Sequence, residues 1–328
     1  KLAHEMIMAG VNVADPRQSI QDNVKLEGDT LTVCGDAFSL KDYDRVLLFG
    51  AGKAATPMCQ AFERILKPDD GLVITKIGEE ICIADVETIA VRRAYHPEPR
   101  AENAKYSREI LDRIDGIADG EKVLVFLMIS GGGSALFSCA PDAVGIEDKF
   151  KLNQLLMKCG ANIHDINTIR KHCSEIKGGK FGQRVARKGG TLVSLILSDV
   201  VGDDLSAIAS GPSYKDKSTF EDAVRLMKQY QIWEEAPQSV RGHMERGLAD
   251  PSMEPPREVP AGVHNYLIGN NLAALEAARA IAERGGFNTT ILTSQNTGEA
   301  KIVAKAYTGI AKEIQDSHNP LKPPACLI

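Results

Sequence analysis

Short apolar runs alternate with amphipathic stretches along most of the chain. Residues 45–49 (RVLLF) read as a buried strand, and 53–66 as the helix after it. Residues 72–75 predict a second strand, and 101–117 a helix whose Ile110, Ile114 and Ile117 share one face. Residues 123–129 are apolar throughout rather than alternating, which predicts a strand buried on both faces. Helices are expected at 148–159, 165–173, 219–230 and 238–246, and a strand at 192–197. The alternation predicts an α/β fold with a largely parallel sheet.

Residues 249–262 interrupt the pattern. Pro251, Pro255, Pro256 and Pro260 continue neither a helix nor a central strand. The rhythm then restarts, with strands at 265–268 and 289–292, helices at 272–282 and 299–314, and a last strand at 325–328. The expected organisation is a Rossmann-like α/β domain over 1–250, a Pro-rich linker over 251–262, and the beginning of a second α/β domain over 263–328. A βαβα run that ends on an apolar strand reads as unfinished.

Composition narrows the class. Hydrophobic residues at 43% and charged residues at 25% describe a globular chain, not a disordered or fibrous one. A net charge of −5 argues against a dedicated nucleic-acid binder. The longest fully apolar run, 123–129, is far too short to cross a membrane. Seven cysteines without a paired CxxC spacing predict reduced thiols rather than a disulfide framework or a zinc ribbon. A cytoplasmic protein is expected. A start at Lys1 rather than Met leaves a removed targeting segment, and so a mitochondrial location, open.

Three glycine-containing loops follow predicted strands. Gly50-Ala51-Gly52-Lys53-Ala54-Ala55 runs from a strand into a helix. It formally matches a dinucleotide fingerprint, but the next strand is followed by Lys76 rather than a ribose-binding acid. It is not a Walker loop. Lys53 in the first turn of a helix opposes the helix dipole, which an anionic ligand between them would explain. The second loop, Ser130-Gly131-Gly132-Gly133-Ser134, follows the most buried strand; its amides and hydroxyls suit a phosphate or carboxylate. A plain flexible turn is the alternative. The third, Ser198-Asp199-Val200-Val201-Gly202-Asp203-Asp204, sets three carboxylates at a strand end. Asp199 and Asp203 are candidate Mg²⁺ ligands, and Asp199 is a candidate acceptor of a hydroxyl proton. Helix capping would account for one of Asp203 and Asp204.

Other residues join these loops. Arg170 and Lys177 belong to a basic run that is either a solvated helix face or a source of phosphate-neutralising charge. Ser210 and Gly211 form another tight loop, and Asn270 stands where a helix cap is expected. His96, between stiffening prolines, is as readily structural as catalytic.

Taken together, GAGKAA (50–55), HPEPR (96–100), ISGGGSALF (129–137), INTIRKHCSEIKGGK (166–180), LILSDVVGDDLSAIASGP (195–212) and LIGNNLAAL (267–275) resemble the class II glycerate kinases, the glycerate 2-kinase family. The matches keep the family's order across most of residues 45–280. The resemblance implies phosphorylation of D-glycerate to 2-phosphoglycerate with ATP and Mg²⁺, in a cleft between two α/β domains. It implies that Lys53 is essential. The residues themselves suggest that Lys53 stabilises charge on the transferring phosphoryl and that Asp199 either holds Mg²⁺ or accepts the hydroxyl proton. Residues 130–134 with Arg170, Lys177, Ser210, Gly211 and Asn270 would bind substrate and phosphate. Nucleic-acid and membrane partners are not expected, and homo-oligomerisation is left open.

The resemblance breaks at the end. The family continues from a strand like residues 324–328 into a further glycine motif, a GGRNQE-like motif and a GTDG-like motif, and none is present. The family's second-domain arginine has no counterpart. Either residues are missing or the chain is a fragment, and a fragment would be inactive. The rival readings are an NAD(P)-dependent oxidoreductase of small hydroxy acids, resting on Gly50-x-Gly52-x-x-Ala55, and a non-catalytic phosphosugar-binding module.

Overall fold

A computed structural model of the chain describes residues 1–78 and 86–328. Two helices come first, α1 (Leu2–Val13) and α2 (Pro16–Asn23), the second capped by Asp15. A small antiparallel meander follows: β1 (Val24–Glu27), β2 (Thr30–Val33) and β3 (Asp36–Ser39). Cys34 and Gly35 both have positive φ, which suits a two-residue hairpin between β2 and β3. These four-residue strands are too short to register as period-two runs in the sequence.

The main sheet has six parallel strands in the order β6-β5-β4-β7-β8-β9. They are β4 (Arg45–Ala51), β5 (Asp70–Lys76), β6 (Ala90–Ala94), β7 (Val123–Ile129), β8 (Thr191–Leu197) and β9 (Val263–Gly269). All seven residues of β7 are buried, as its unbroken apolar run predicts. Val123, Val125, Leu127 and Ile129 face a core shared with α4 (Ala101–Asp115). Leu124, Phe126 and Met128 face the other, with Met58 and Phe62 of α3 (Ala55–Glu63). The edge strand β6 was not legible, because Arg92 and Arg93 break its apolar pattern. Such charges are common on edges, where they discourage pairing with another chain.

Beyond β7 come α5 (Gly133–Leu136), α6 (Ile146–Lys158), α7 (Ile163–His172) and α8 (Lys180–Arg187). After β8 come α9 (Phe220–Gln229) and α10 (Gln238–Ala249). Helices α6, α7, α9 and α10 enclose a third core around Leu152, Ile169, Phe220 and Met244. His243 of α10 is buried there, its Nε2 2.9 Å from the His172 carbonyl. Burial pushes its pKa down to about 4. The unfolded chain therefore takes up a proton first, at about pH 6.5. Stability is expected to fall as pH drops from there through about 4. A His243→Gln variant should show a shallower loss in urea midpoints measured between pH 7 and 4.

The Pro-rich segment does not divide the sheet. The expected second domain began at residue 263, but β9 pairs with β8 and completes the first sheet. After it come α11 (Asn271–Arg284), β10 (Asn288–Thr290), α12 (Ala300–Ser317) and β11 (Ala325–Leu327). The last two strands make a separate parallel pair. Helix α1 packs on α11, joining the start of the chain to its last third. Cys82 lies outside the described residues; the other six cysteines are free thiols.

Candidate active site

The strand order reverses between β4 and β7: β5 and β6 lie on one side, β8 and β9 on the other. In open α/β sheets ligands bind at such a switch point, outside the carboxyl ends of the strands. Here those ends carry the loops singled out in the sequence.

The loops after β4 and β7 are fastened together. Gly52 has φ +141°, and a Cβ there would lie 2.2 Å from Ser130 Oγ and 2.8 Å from the Ser130 carbonyl oxygen. The Lys53 amide donates to the Gly131 carbonyl at 2.8 Å, and the Ala54 amide to Ser130 Oγ at 2.9 Å. These amides are used inside the protein and do not cradle an anion. Lys53 also precedes α3 instead of opening it, so the dipole argument from sequence falls away. What the GAGKAA segment provides is the Lys53 side chain itself. It is exposed and takes no hydrogen bond or ion pair among the described residues.

The amides left without a partner are in the second loop. Those of Gly131 and Gly132 have no partner among the described residues. Gly132 has φ +84°, which favours glycine. Asp199 packs directly on this loop: a methyl on Gly131 would lie 2.0 Å from Asp199 Oδ2. Lys53, Ser130, Gly131, Asp199 and Asn270 line one cleft of about 470 Å³. Asp199 is exposed, takes no hydrogen bond among the described residues, and is the one carboxylate in that lining.

Hydrogen bonds fix the cleft wall at Asn270 and engage the other expected residues. Asn270 caps α11 through the Ala273 amide and donates to Asp203 Oδ2 at 2.6 Å. Asp203 is thereby engaged, and Asp204 accepts from the Ser206 amide and hydroxyl in a local turn, so the expected helix cap is not formed by either. Ser210 is fully buried, its hydroxyl 2.7 Å from Ser134 Oγ and 3.3 Å from Asn167 Oδ1. The Gly211 carbonyl accepts from the Gly179 amide. Ser210 thus supports the Ser134 turn and Gly211 the start of α8, and neither lines the cleft. Among the described residues, no group of three or more His, Cys, Asp or Glu is placed to hold a metal ion.

A second, smaller pocket of about 250 Å³ lies on the far side of the glycine loop, lined by Gly132, Ser134, His96, Lys149, Arg170 and Lys177 among others. The basic run is therefore not a solvated face. Lys171, His172 and Lys177 are buried, and Lys177 Nζ donates to the Ser134 carbonyl and, at 3.2 Å, to Ser134 Oγ.

A model of the family described as a domain of unknown function, DUF4147, matches residues 2–245. A glycerate 2-kinase from Pyrococcus horikoshii is 40% identical over 323 residues, 98% of this chain and 71% of that protein. The chain belongs to the glycerate 2-kinase family. A solved glycerate kinase (EC 2.7.1.31) from Thermotoga maritima has a TM-score of 0.82 at 35% identity, covering 100% of this chain and 72% of that one. An Agrobacterium vitis protein, named provisionally as a hydroxypyruvate reductase, is 35% identical over 286 residues, 87% of this chain and 62% of that protein.

Within this glycerate 2-kinase fold, Lys149 is the pocket residue that sequence reasoning missed. It shares the buried face of α6 with Leu152 and Leu156. A lysine at helical spacing from two core leucines was the available signal. Its ammonium donates to the Cys173 carbonyl, and burial lowers its pKa.

Proposed function

We propose that the chain is an ATP-dependent kinase that phosphorylates D-glycerate on its C2 hydroxyl, giving 2-phosphoglycerate and ADP. One observation carries this reading beyond family membership. A lysine and a carboxylate without partners among the described residues line the same cleft as Gly131, whose amide is likewise free there, and the free Gly132 amide follows on the same loop. Phosphoryl transfer needs positioning and charge stabilisation more than covalent chemistry.

The roles follow from that layout. The C2 hydroxyl oxygen attacks the γ-phosphorus, the bond to the bridging oxygen of ADP breaks, and the hydroxyl proton leaves. Lys53 meets the charge on the transferring phosphoryl. The Gly131 and Gly132 amides hold an oxyanion of the reacting groups. Asp199 is the carboxylate placed to accept the proton. Mg²⁺ also suits Asp199, since it takes one or two carboxylates plus substrate oxygens, and when bound it would neutralise the phosphate oxygens. Asp203 suits it less, because Asn270 already holds one of its oxygens.

Phosphorus NMR of the full-length protein with Mg-ATP and D-glycerate tests the reading. The expected products are ADP and 2-phosphoglycerate. Unchanged ATP, or 3-phosphoglycerate as product, contradicts it. The oxidoreductase reading keeps relatives named provisionally as hydroxypyruvate reductases, but β5 ends on Lys76, where a nicotinamide fold needs an acid for the ribose. Fluorescence titration with NADH is expected to show no saturable binding.

A further inference from the structure

We infer that the nucleotide lies on the far side of the glycine loop from Asp199. Its base would occupy a cavity of about 590 Å³ between residues 97–101 and α6, and its phosphates the adjoining pocket of Lys149, Arg170 and Lys177. The inference rests on the kinase reading and adds which subsite takes which substrate.

Continuity is the first argument. The two cavities share Pro97, Pro99, Asn153 and Arg170 as walls, so one ligand can run through both. Charge is the second. The inner pocket has three cationic side chains in its lining and no carboxylate. Lys149 is 4% exposed and Lys177 is 2% exposed. Their named partners are neutral: the Cys173 carbonyl for one, the Ser134 turn for the other. Burying cations without counter-charge is costly, and a polyphosphate supplies that charge. Burial, with the charges of Lys149, Arg170 and Lys171 behind it, pushes the Lys177 ammonium well below its usual range. The cavity of about 580 Å³ around Arg184 makes the contrast: Asp115, Asp119, Glu175 and Glu254 are in its lining, and Arg184 pairs with Asp115 and Glu175.

The outer cavity has the character a base needs. Met157 is 66% exposed, an unusual place for a large apolar side chain, and its Sδ lies 3.7 Å from Arg170 Nη2. Phe150 and the two prolines add apolar walls, and Asn153 and Gln154 add amides for the base edge. Size agrees. About 590 Å³ is within the range of small-molecule sites, whereas about 250 Å³ is below it and suits phosphate groups alone. Direction agrees too. The inner pocket ends at Gly132, and a Cβ there would lie 3.5 Å from Lys53 Cγ. The terminal phosphate therefore arrives beside Lys53, and the cleft with Asp199 remains for glycerate.

The test is ADP binding by calorimetry without glycerate, together with separate KM values for ATP and D-glycerate, in Met157→Asp and Arg170→Gln variants of the full-length protein. Met157 is exposed, so its variant should fold. Each variant is expected to weaken ADP binding and raise the ATP KM by about tenfold or more, with the glycerate KM within about twofold. Unchanged ADP affinity, or a rise confined to the glycerate KM, overturns the assignment. ADP binding that is lost in Met157→Asp, from a wild-type protein that makes no phosphoglycerate, supports the pocket while refuting the kinase reading. A wild-type protein that does not bind ADP overturns both.

Discussion

Lys53→Ala is expected to lower kcat by about a thousandfold or more, the scale seen when a single positioned cation is removed from a phosphoryl-transfer site. The fold should survive. The Lys53 side chain is exposed and unpaired among the described residues, and alanine keeps the backbone amide that bonds Gly131. Circular dichroism and the thermal midpoint should therefore match the wild type. Lys53→Arg should recover only part of the rate, since it keeps the charge but changes its reach and shape. A folded Lys53→Ala protein with near-normal turnover would remove Lys53 from the mechanism.

Gly52→Val should do the opposite, damaging the fold and the site together. At φ +141° any side chain is strained, and its Cβ would meet the Ser130 backbone. The expected loss is about 3 kcal/mol or more, from strain and clash combined. Gly28→Ala is the matched control. Its φ is +59°, but nothing lies within 4 Å of the added methyl, so only the conformational cost of about 1 kcal/mol applies. Urea denaturation of the two variants separates the terms. Equal midpoints would mean that the contact between Gly52 and Ser130 is unimportant.

The strands and helices that bury one continuous apolar face were legible in the sequence. Strand β7 matches its expected bounds, and α4 and α9 come within two residues of theirs. Elements specified by pairing rather than by pattern were not. Strand β6 is half charged, and the meander strands are shorter than any periodicity can show. The place of β9 depends on contact with β8, which no local signal records. At the site, residue type was enough to single out Lys53, Gly131 and Asp199, which the structure brings to one cleft. Hydrogen-bond bookkeeping was not visible: Ser210 serves Ser134, and Asn270 serves Asp203 and α11. The buried cations were half legible. Arg170 and Lys177 stood out as candidates, but a solvated face was an equal reading until burial decided it.

The proline-rich stretch before β9 has the composition of a hinge and the mechanics of a buckle. Both of its ends are anchored, one by α10 in the helical core and the other by β9, which is hydrogen-bonded along β8. Swinging the C-terminal elements about those prolines would unzip β9. The next joint sits farther on, past Gly269, where the strand stops and α11 starts. Asn270 occupies that joint and holds Asp203 across it. The start of α11 and the loop that carries Asp199 are thus tied twice, by the Asn270 side chain and by the Ser198 amide donating to the Gly269 carbonyl, so the wall and the floor of the cleft are built as one piece.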